Sequence, residues 1–341
     1  MAQHTNKRVI LQRRASGLPT PDLFAVVEDA APEPADGEVL VTTLYVTADP
    51  GMKGWIGTAK NYNSVETGGT MHSFGTGVVV ESRHPEVAVG DILCGRTGWQ
   101  SYAIMNPDAP GIRRIDPADG PLSTSLGVLG VNGITAYFGL LDVGQPKAGN
   151  TVLVSTAAGA VGSAAGQIAK IKGCRTVGIA GGADKTALCR DLFGYDAAID
   201  YKATADLRAA LQAACPDGID VYYDNVGGAT LDTVLGLMNV GGRIAICGTA
   251  ATESWDPPPH GPRVERALLV SRLKMQGFLL FDYTPRFGEA LADLRQWVRD
   301  GRLKYREDIV DGLERAPAML AGLYAGRNTG RALIRVRPEP A

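Results

Sequence analysis

The chain has 341 residues, 45% of them hydrophobic, and a formal net charge of −2 at pH 7. That length allows two domains with substantial cores, and the near-neutral balance removes the electrostatic case for a nucleic-acid or membrane partner, leaving a small molecule as the expected ligand. Five cysteines, Cys94, Cys174, Cys189, Cys215 and Cys247, form no C-x-x-C pair, which argues against a disulfide framework or a cysteine zinc cage and fits a reducing, cytoplasmic setting.

Arg13-Arg14 is followed by Ala-Ser-Gly-Leu-Pro and not by an apolar segment, so no secretion signal is expected. The first part of the chain has short strand-like runs at 38–44, 76–81 and 101–105 between Pro, Gly and Asp, an all-β texture. An uncharged stretch, 120–141, is broken by Gly, Ser, Thr, Asn and Pro, and reads as a buried segment crossing between domains. The composition shifts near Ser123, which predicts one domain from residues 1–124 with 303–341 and another from 125–302.

The second domain opens on a β-branched run, Thr151-Val152-Leu153-Val154, that feeds small residues and then a helix. At the spacing of the G-x-G-x-x-G fingerprint it reads Ala157-x-Gly159-x-x-Gly162, with alanine at the first position. Gly159 lets backbone approach a pyrophosphate, Gly162 lets helix pack on strand, and the helix N-terminus offers N–H groups to an anion. Taken alone, the same turn is equally readable as a tight strand-to-helix connection without a ligand. The residues beyond the turn continue in the same style, with helix 162–171, strand 175–179, helix 184–193, strand 197–201, helix 204–214, strand 220–226, helix 230–238 and strand 243–247. This alternation predicts an α/β, doubly wound parallel sheet covered on both faces. The segment 256–262, with four prolines, reads as a stiff loop. Near the C-terminus, 287–298 and 317–323 read as helices and 331–336 as a strand able to rejoin the N-terminal sheet.

Cofactor preference can be read at the end of the second strand. An NAD-selective site places Asp or Glu there to hold the ribose 2′-hydroxyl, whereas this chain has Ala180-Gly181-Gly182 with Lys185 just beyond. Neutral N–H groups and a cation suit a 2′-phosphate, so NADP(H) is expected over NAD(H). The bland alternative for Lys185 is a solvated first-turn lysine.

Several ordered motifs carry a family resemblance over essentially the whole chain: Asp49-Pro50-Gly51-Met52-Lys53-Gly54, Gly90-Asp91, Gly98-Trp99-Gln100, Gly133-Ile134-Thr135-Ala136-Tyr137-Phe138-Gly139-Leu140, Asp224-Asn225-Val226-Gly227-Gly228, Cys247-Gly248, Trp297, Tyr305-Arg306-Glu307-Asp308 and Gly326-Arg327-Asn328-Thr329-Gly330. With them the chain resembles the zinc-independent medium-chain dehydrogenase/reductase family, of the leukotriene B4 12-hydroxydehydrogenase/prostaglandin reductase, plant double-bond reductase and bacterial curcumin/alkenal reductase type. The resemblance implies a GroES-like, partly open β-barrel domain beside a Rossmann domain. It also implies NADPH-dependent reduction of the C=C bond of an enone or enal by hydride transfer to the β-carbon, and a homodimer.

It further implies cofactor contacts at Gly159, Ala160, Val161, Gly162, Lys185, Tyr201, Asn225, Cys247, Gly248, Thr249, Glu253, Phe278, Leu279, Leu280 and Asn328, and a substrate pocket at Gly51, Met52 and Trp255. Cys247 by itself reads as a small buried residue and not a nucleophile. No metal is expected: the Gly-His-Glu segment and four-cysteine lobe of zinc alcohol dehydrogenases are missing, and His72 with Cys94 cannot supply three ligands. The family commonly places tyrosines where Gly51 and Glu253 stand, so the proton donor is open, with Tyr62 and Glu253 as weak candidates and a cofactor hydroxyl or water able to polarise the carbonyl. A quinone reductase on the same scaffold and a non-catalytic NADPH-binding regulator are the other readings.

Overall fold

The computed structural model describes residues 4–58, 63–252, 255, 257 and 259–339, and the chain divides into two units, Met1–Gly127 with Glu307–Ala341, and Val128–Arg306. In the first unit, runs rich in β-branched residues become β1 (Thr5–Leu11), β2 (Phe24–Ala30) and β3 (Val39–Thr47), then a short helix α1 (Met52–Ile56), then β4 (Phe74–Ser82), β5 (Ile92–Arg96), β6 (Tyr102–Met105) and β7 (Arg113–Arg114). The second unit runs α2 (Val131–Phe138), β8 (Thr151–Ser155), α3 (Ala160–Ile171), β9 (Arg175–Ala180), α4 (Ala183–Asp191), β10 (Ala197–Asp200), α5 (Leu207–Ala214), β11 (Ile219–Asp224), α6 (Gly228–Leu235), β12 (Met238–Ile246), α7 (Glu265–Ser271), β13 (Lys274–Gly277) and α8 (Phe287–Arg299). The chain then returns to the first unit with β14 (Glu307–Asp311), α9 (Ala316–Tyr324) and β15 (Arg331–Arg335).

In the first unit β3 pairs with β4, β6 and β15, and all but one of its residues are buried. The C-terminal strand rejoins the N-terminal sheet antiparallel, with Leu333 opposite Thr47. Just past β3 the buried Arg331 guanidinium pairs with Asp49 and donates from Nε to Leu126 O at 2.9 Å. Trp99, fully buried, donates its indole N–H to Thr47 O at 2.8 Å. These contacts fix the start of the loop that leads into α1. Leu126 belongs to this unit because it packs with Leu333 in one buried cluster.

The second unit is a parallel sheet in the order β10-β9-β8-β11-β12-β13. Its inner strands β8, β9 and β11 are buried on both faces, and the period of two sorts the side chains: Val152, Val154, Val221 and Tyr223 face the cluster with Phe138, Ile168 and Trp297, while Leu153, Tyr222 and Ile244 face the cluster with Leu211 and Val234. Leu303 is 1% exposed in the Trp297 cluster, so the chain leaves this unit only after Arg306; with Leu126, this moves each sequence-read boundary a few residues toward the C-terminus.

Differences from the sequence reading have local causes. Helix α5 starts at Leu207 and not at Thr204, because Asp206 caps it by accepting from Ala209 N at 3.0 Å. The helix expected through Met238 stops at Leu235, since Met238 pairs with Ile219 and opens β12 ahead of an irregular stretch where Gly241 takes φ +78°. The uncharged 120–141 stretch contains a 3-10 turn, Leu122–Leu126, and α2, which continues into a π-helical turn at Gly139–Gly144.

Helix α3 lies unusually close to its neighbours. A Cβ at Gly166 would stand 2.1 Å from Tyr195 Cζ, and the Tyr195 hydroxyl donates to Gly162 O at 2.7 Å. Gly166→Ala therefore overpacks a buried ring, and a loss of about 1–3 kcal/mol is expected in urea unfolding. Wild-type stability in that variant would show that Tyr195 can move aside.

Candidate functional site

The strand order reverses between β8 and β11, and the carboxyl ends of these strands with β9 and β12 form the crevice where open α/β sheets take ligands. The turn from β8 to α3 is tight. Thr156 takes φ +49°, its carbonyl accepts Gly159 N at 2.8 Å, and a Cβ on Gly162 would lie 2.3 Å from that oxygen. Only glycine fits there, so Gly162 has the packing role read from the sequence. Gly159 sits at φ −80°, ψ 172°, as N-cap without a capping side chain, and the first turn of α3 holds no acid. The amides of Ala160, Val161 and Gly162 precede the first intrahelical bond, Ser163 N to Gly159 O at 2.8 Å, and so suit an anion.

At the ends of β9 and β10, Gly181 is overlaid by two side chains: its Cβ would meet Tyr201 Cε1 at 2.8 Å and Lys202 Cε at 3.0 Å. Lys185, half-buried, lies in the first turn of α4, after Gly182 at φ +99°. Asp200 is turned onto the backbone here: its Oδ1 accepts Gly182 N at 2.8 Å and Lys202 N at 3.0 Å. Those amides hold its carboxyl below the usual range. The corner therefore brings together a phenol and two lysines, a composition suited to a phosphate. Lys202 and Asp200 were missed from the sequence; adjacency to Tyr201 was the available signal.

At the ends of β11 and β12, Asn225 donates its side-chain amide to Ser155 O at 2.7 Å and its backbone N–H to Ser155 Oγ at 2.9 Å. Cys247 and Gly248 donate their N–H groups to Asp224 O at 2.8 and 3.1 Å. Thr249 and the 55% exposed Trp255 line a cavity of about 450 Å³ with Asp224, Gly228, Leu231 and His260. Phe278, after β13, packs on the core edge-on to Tyr223, whose hydroxyl donates to Thr135 O at 2.9 Å. Leu279 is exposed, and Leu280 starts a 3-10 turn. Asp224, fully buried at the end of β11, is not among the site residues expected from the sequence.

In the first unit, Gly51 has φ −57° and ψ −25°, and a Cβ there would meet only Trp55 Cζ2 at 3.9 Å, so the backbone does not require glycine. Met52 is fully buried and its sulfur accepts Asp49 N at 3.4 Å, which makes it part of the core under the loop and not an open pocket wall. Asn328 braces the turn into β15 by donating to Gly330 O at 2.9 Å. Tyr62 and Glu253 lie outside the described residues. Among the described residues no group of three or more His, Cys, Asp or Glu could hold a metal, and no helix is long and apolar enough to cross a membrane.

The chain is similar to known proteins over nearly its whole length. The chain matches the N-terminal domain of oxidoreductase over residues 7–112 and the zinc-binding dehydrogenase family over 160–296. It is 43% identical to the NADPH-dependent curcumin reductase of Escherichia coli over 97% of each chain, and 38% identical to the NADP(+)-dependent 2-alkenal reductase of Nicotiana tabacum over 98% of each. The crystal structure of CurA in complex with NADPH from Vibrio vulnificus is 41% identical, covers 98% of this chain and is covered completely, with a TM-score of 0.90.

Cys247 allows a test of this edge in solution. Burial pushes its thiol up to about 11, so the neutral form prevails through pH 9. Alkylation of the Cys247 peptide by iodoacetamide at pH 8, followed by mass spectrometry, should run on the order of a hundredfold slower than that of a free cysteine, rising with pH up to about 11. Rapid alkylation at pH 7 would show an activated thiol instead.

Proposed function

Because the chain belongs to the zinc-independent medium-chain dehydrogenase/reductase family, we propose that it reduces the C=C bond of α,β-unsaturated ketones or aldehydes with NADPH. The observation that carries the cofactor is the acid-free, uncapped N-terminus of α3 set beside a corner of Gly181, Lys185, Tyr201 and Lys202. These residues fit a pyrophosphate and a 2′-phosphate respectively.

When bound, NADPH supplies the hydride that reaches the β-carbon of the acceptor. The chain's own part is to bind and orient. In this reading the amides of Ala160, Val161 and Gly162 take the pyrophosphate, with Gly159 admitting it to the backbone, while Lys185, Lys202 and Tyr201 hold the 2′-phosphate. Asn225, Cys247, Gly248, Thr249, Phe278, Leu279 and Leu280 frame the remaining length, and Trp255 borders the acceptor. The acceptor oxygen gains negative charge as the hydride arrives and needs a hydrogen-bond donor. No phenol is available at Gly51, so that donor is a cofactor hydroxyl, water, Tyr62 or protonated Glu253. A carboxylate at Glu253 would disfavour enoic acids, which makes neutral enones and enals the expected substrates.

We also read the protein as a cytoplasmic homodimer. The free cysteines support a reducing compartment. β13 ends the parallel sheet, and around it Leu269 (78%), Val270 (56%), Leu279 (45%) and Phe281 (36%) are exposed, an apolar edge that a second copy would cover. Leu269→Asp should shift the sedimentation coefficient from dimer to monomer; a wild-type monomer would end that reading.

Turnover of an alkenal, an enone and a benzoquinone, measured side by side by NADPH consumption, tests the reaction. Faster reduction of quinone alone would favour a quinone reductase, and tight NADPH binding without turnover of any acceptor a regulator. Lys185→Ala should weaken NADPH about ten- to a hundredfold while leaving NADH nearly unchanged. Equal loss of both cofactors would show that Lys185 does not read the 2′-phosphate.

A further inference from the structure

Asp224 is the most heavily bonded side chain at the crevice, and hydride transfer to an enone gives it no direct work. It is fully buried. Its Oδ1 accepts Val226 N and Gly227 N at 2.9 Å each, the Tyr222 hydroxyl at 2.8 Å and the Ser155 hydroxyl at 3.3 Å. Its Oδ2 has no hydrogen-bond partner. The backbone carbonyl of the same residue holds the Cys247 and Gly248 amides, and Ser155 in turn holds both the backbone and side-chain nitrogens of Asn225.

One residue thus ties together the ends of three strands: Ser155 on β8, the 225–228 turn after β11 and the 247–248 segment after β12. The turn needs such a tie. Gly227 and Gly228 take φ +67° and +54°, consecutive left-handed positions that leave the amides of 226 and 227 pointing at one acceptor.

We propose that Asp224 is a positioning residue for the dinucleotide: its side chain locks the Asn225–Gly228 turn in the geometry that the nicotinamide half of NADP(H) lies against. The proposal rests on the reading of this edge as the NADP(H) site. It also explains the lopsided bonding of the carboxyl. All of the donors converge on Oδ1, so an amide that keeps its oxygen there preserves the turn, and the unpartnered Oδ2 contributes nothing that an amide nitrogen would remove. Burial raises the carboxyl's proton affinity while these donors lower it.

The test uses the full chain and two probes. NADPH needs the whole crevice, whereas adenosine 2′,5′-bisphosphate needs the corner of Gly181, Lys185, Tyr201 and Lys202 and the N-terminus of α3 but not the Asn225–Gly228 turn. By titration, Asp224→Ala should raise the Kd of NADPH about tenfold or more while leaving that of the bisphosphate within about threefold, and Asp224→Asn should restore NADPH binding to within about threefold of wild type. Melting temperature is recorded for each variant without ligand. A carboxyl that merely stabilises the unit would lower the melting temperature of Asp224→Ala with both affinities unchanged, or weaken both probes alike, and either result overturns the proposal. If Asp224→Ala does not fold, Ser155→Ala replaces it, since it removes one donor to Oδ1 and the acceptor of Asn225 N with little loss of volume; the same split supports the proposal and an equal effect on both probes overturns it. Wild-type protein that binds neither probe would instead overturn the placement of the cofactor, and the proposal with it.

Discussion

The approach of Gly162 to the Thr156 carbonyl governs the rest of the second unit. With a Cβ there 2.3 Å from a backbone oxygen, only glycine lets α3 begin within a few residues of β8. Because the helix starts so early, its N-terminus emerges at the carboxyl end of the sheet's inner strand, next to the switch point between β8 and β11. Tyr195 then fills the space beside the helix that Gly166 leaves, and its hydroxyl bonds to the Gly162 carbonyl. A helix so tightly seated has little freedom to slide, and its amides stay aimed at one point. Binding energy is then not spent on ordering the anion site.

The second corner shows how an acid can be present and still not select against a phosphate. A count of acids near the end of β9 meets Asp200 on the neighbouring strand. Its carboxyl is turned onto Gly182 N and Lys202 N, so it shapes the loop that carries the lysines. The charge is the same in either role; what differs is whether its lone pairs face the ligand or the protein's own amides. Sequence spacing sees the residue and not the direction of its oxygens.

That distinction separates the legible parts of the chain from the rest. Strands β8 and β9 and helix α3 were legible because burial on both faces leaves continuous apolar runs and because Gly162 and Gly173 punctuate them. The 235–246 region was misread where Met238 continues a helical pattern but pairs as strand ahead of Gly241. β13 and β14 are short and half-exposed, so neither hydropathy nor turn residues mark them. Motif resemblance supplied the crevice residues that periodicity could not, Asn225 and Phe278 among them. It did not supply Asp224, which sits within a family motif yet matters only through partners on β8 and β11. Met52 shows the converse: a motif residue whose side chain belongs to the core.

The thiols bear on the enzyme's own survival. Enones and enals are soft electrophiles that add thiolates at the same β-carbon that accepts the hydride. A protein that gathers such molecules exposes its cysteines to them at every turnover. Here Cys174, Cys189, Cys215 and Cys247 are all pushed up by burial, Cys189 to about 12, and Cys94 is buried as well. Covering its sulfur lets the chain handle a class of compounds that alkylate exposed thiols, without becoming a sacrificial trap for its own substrate.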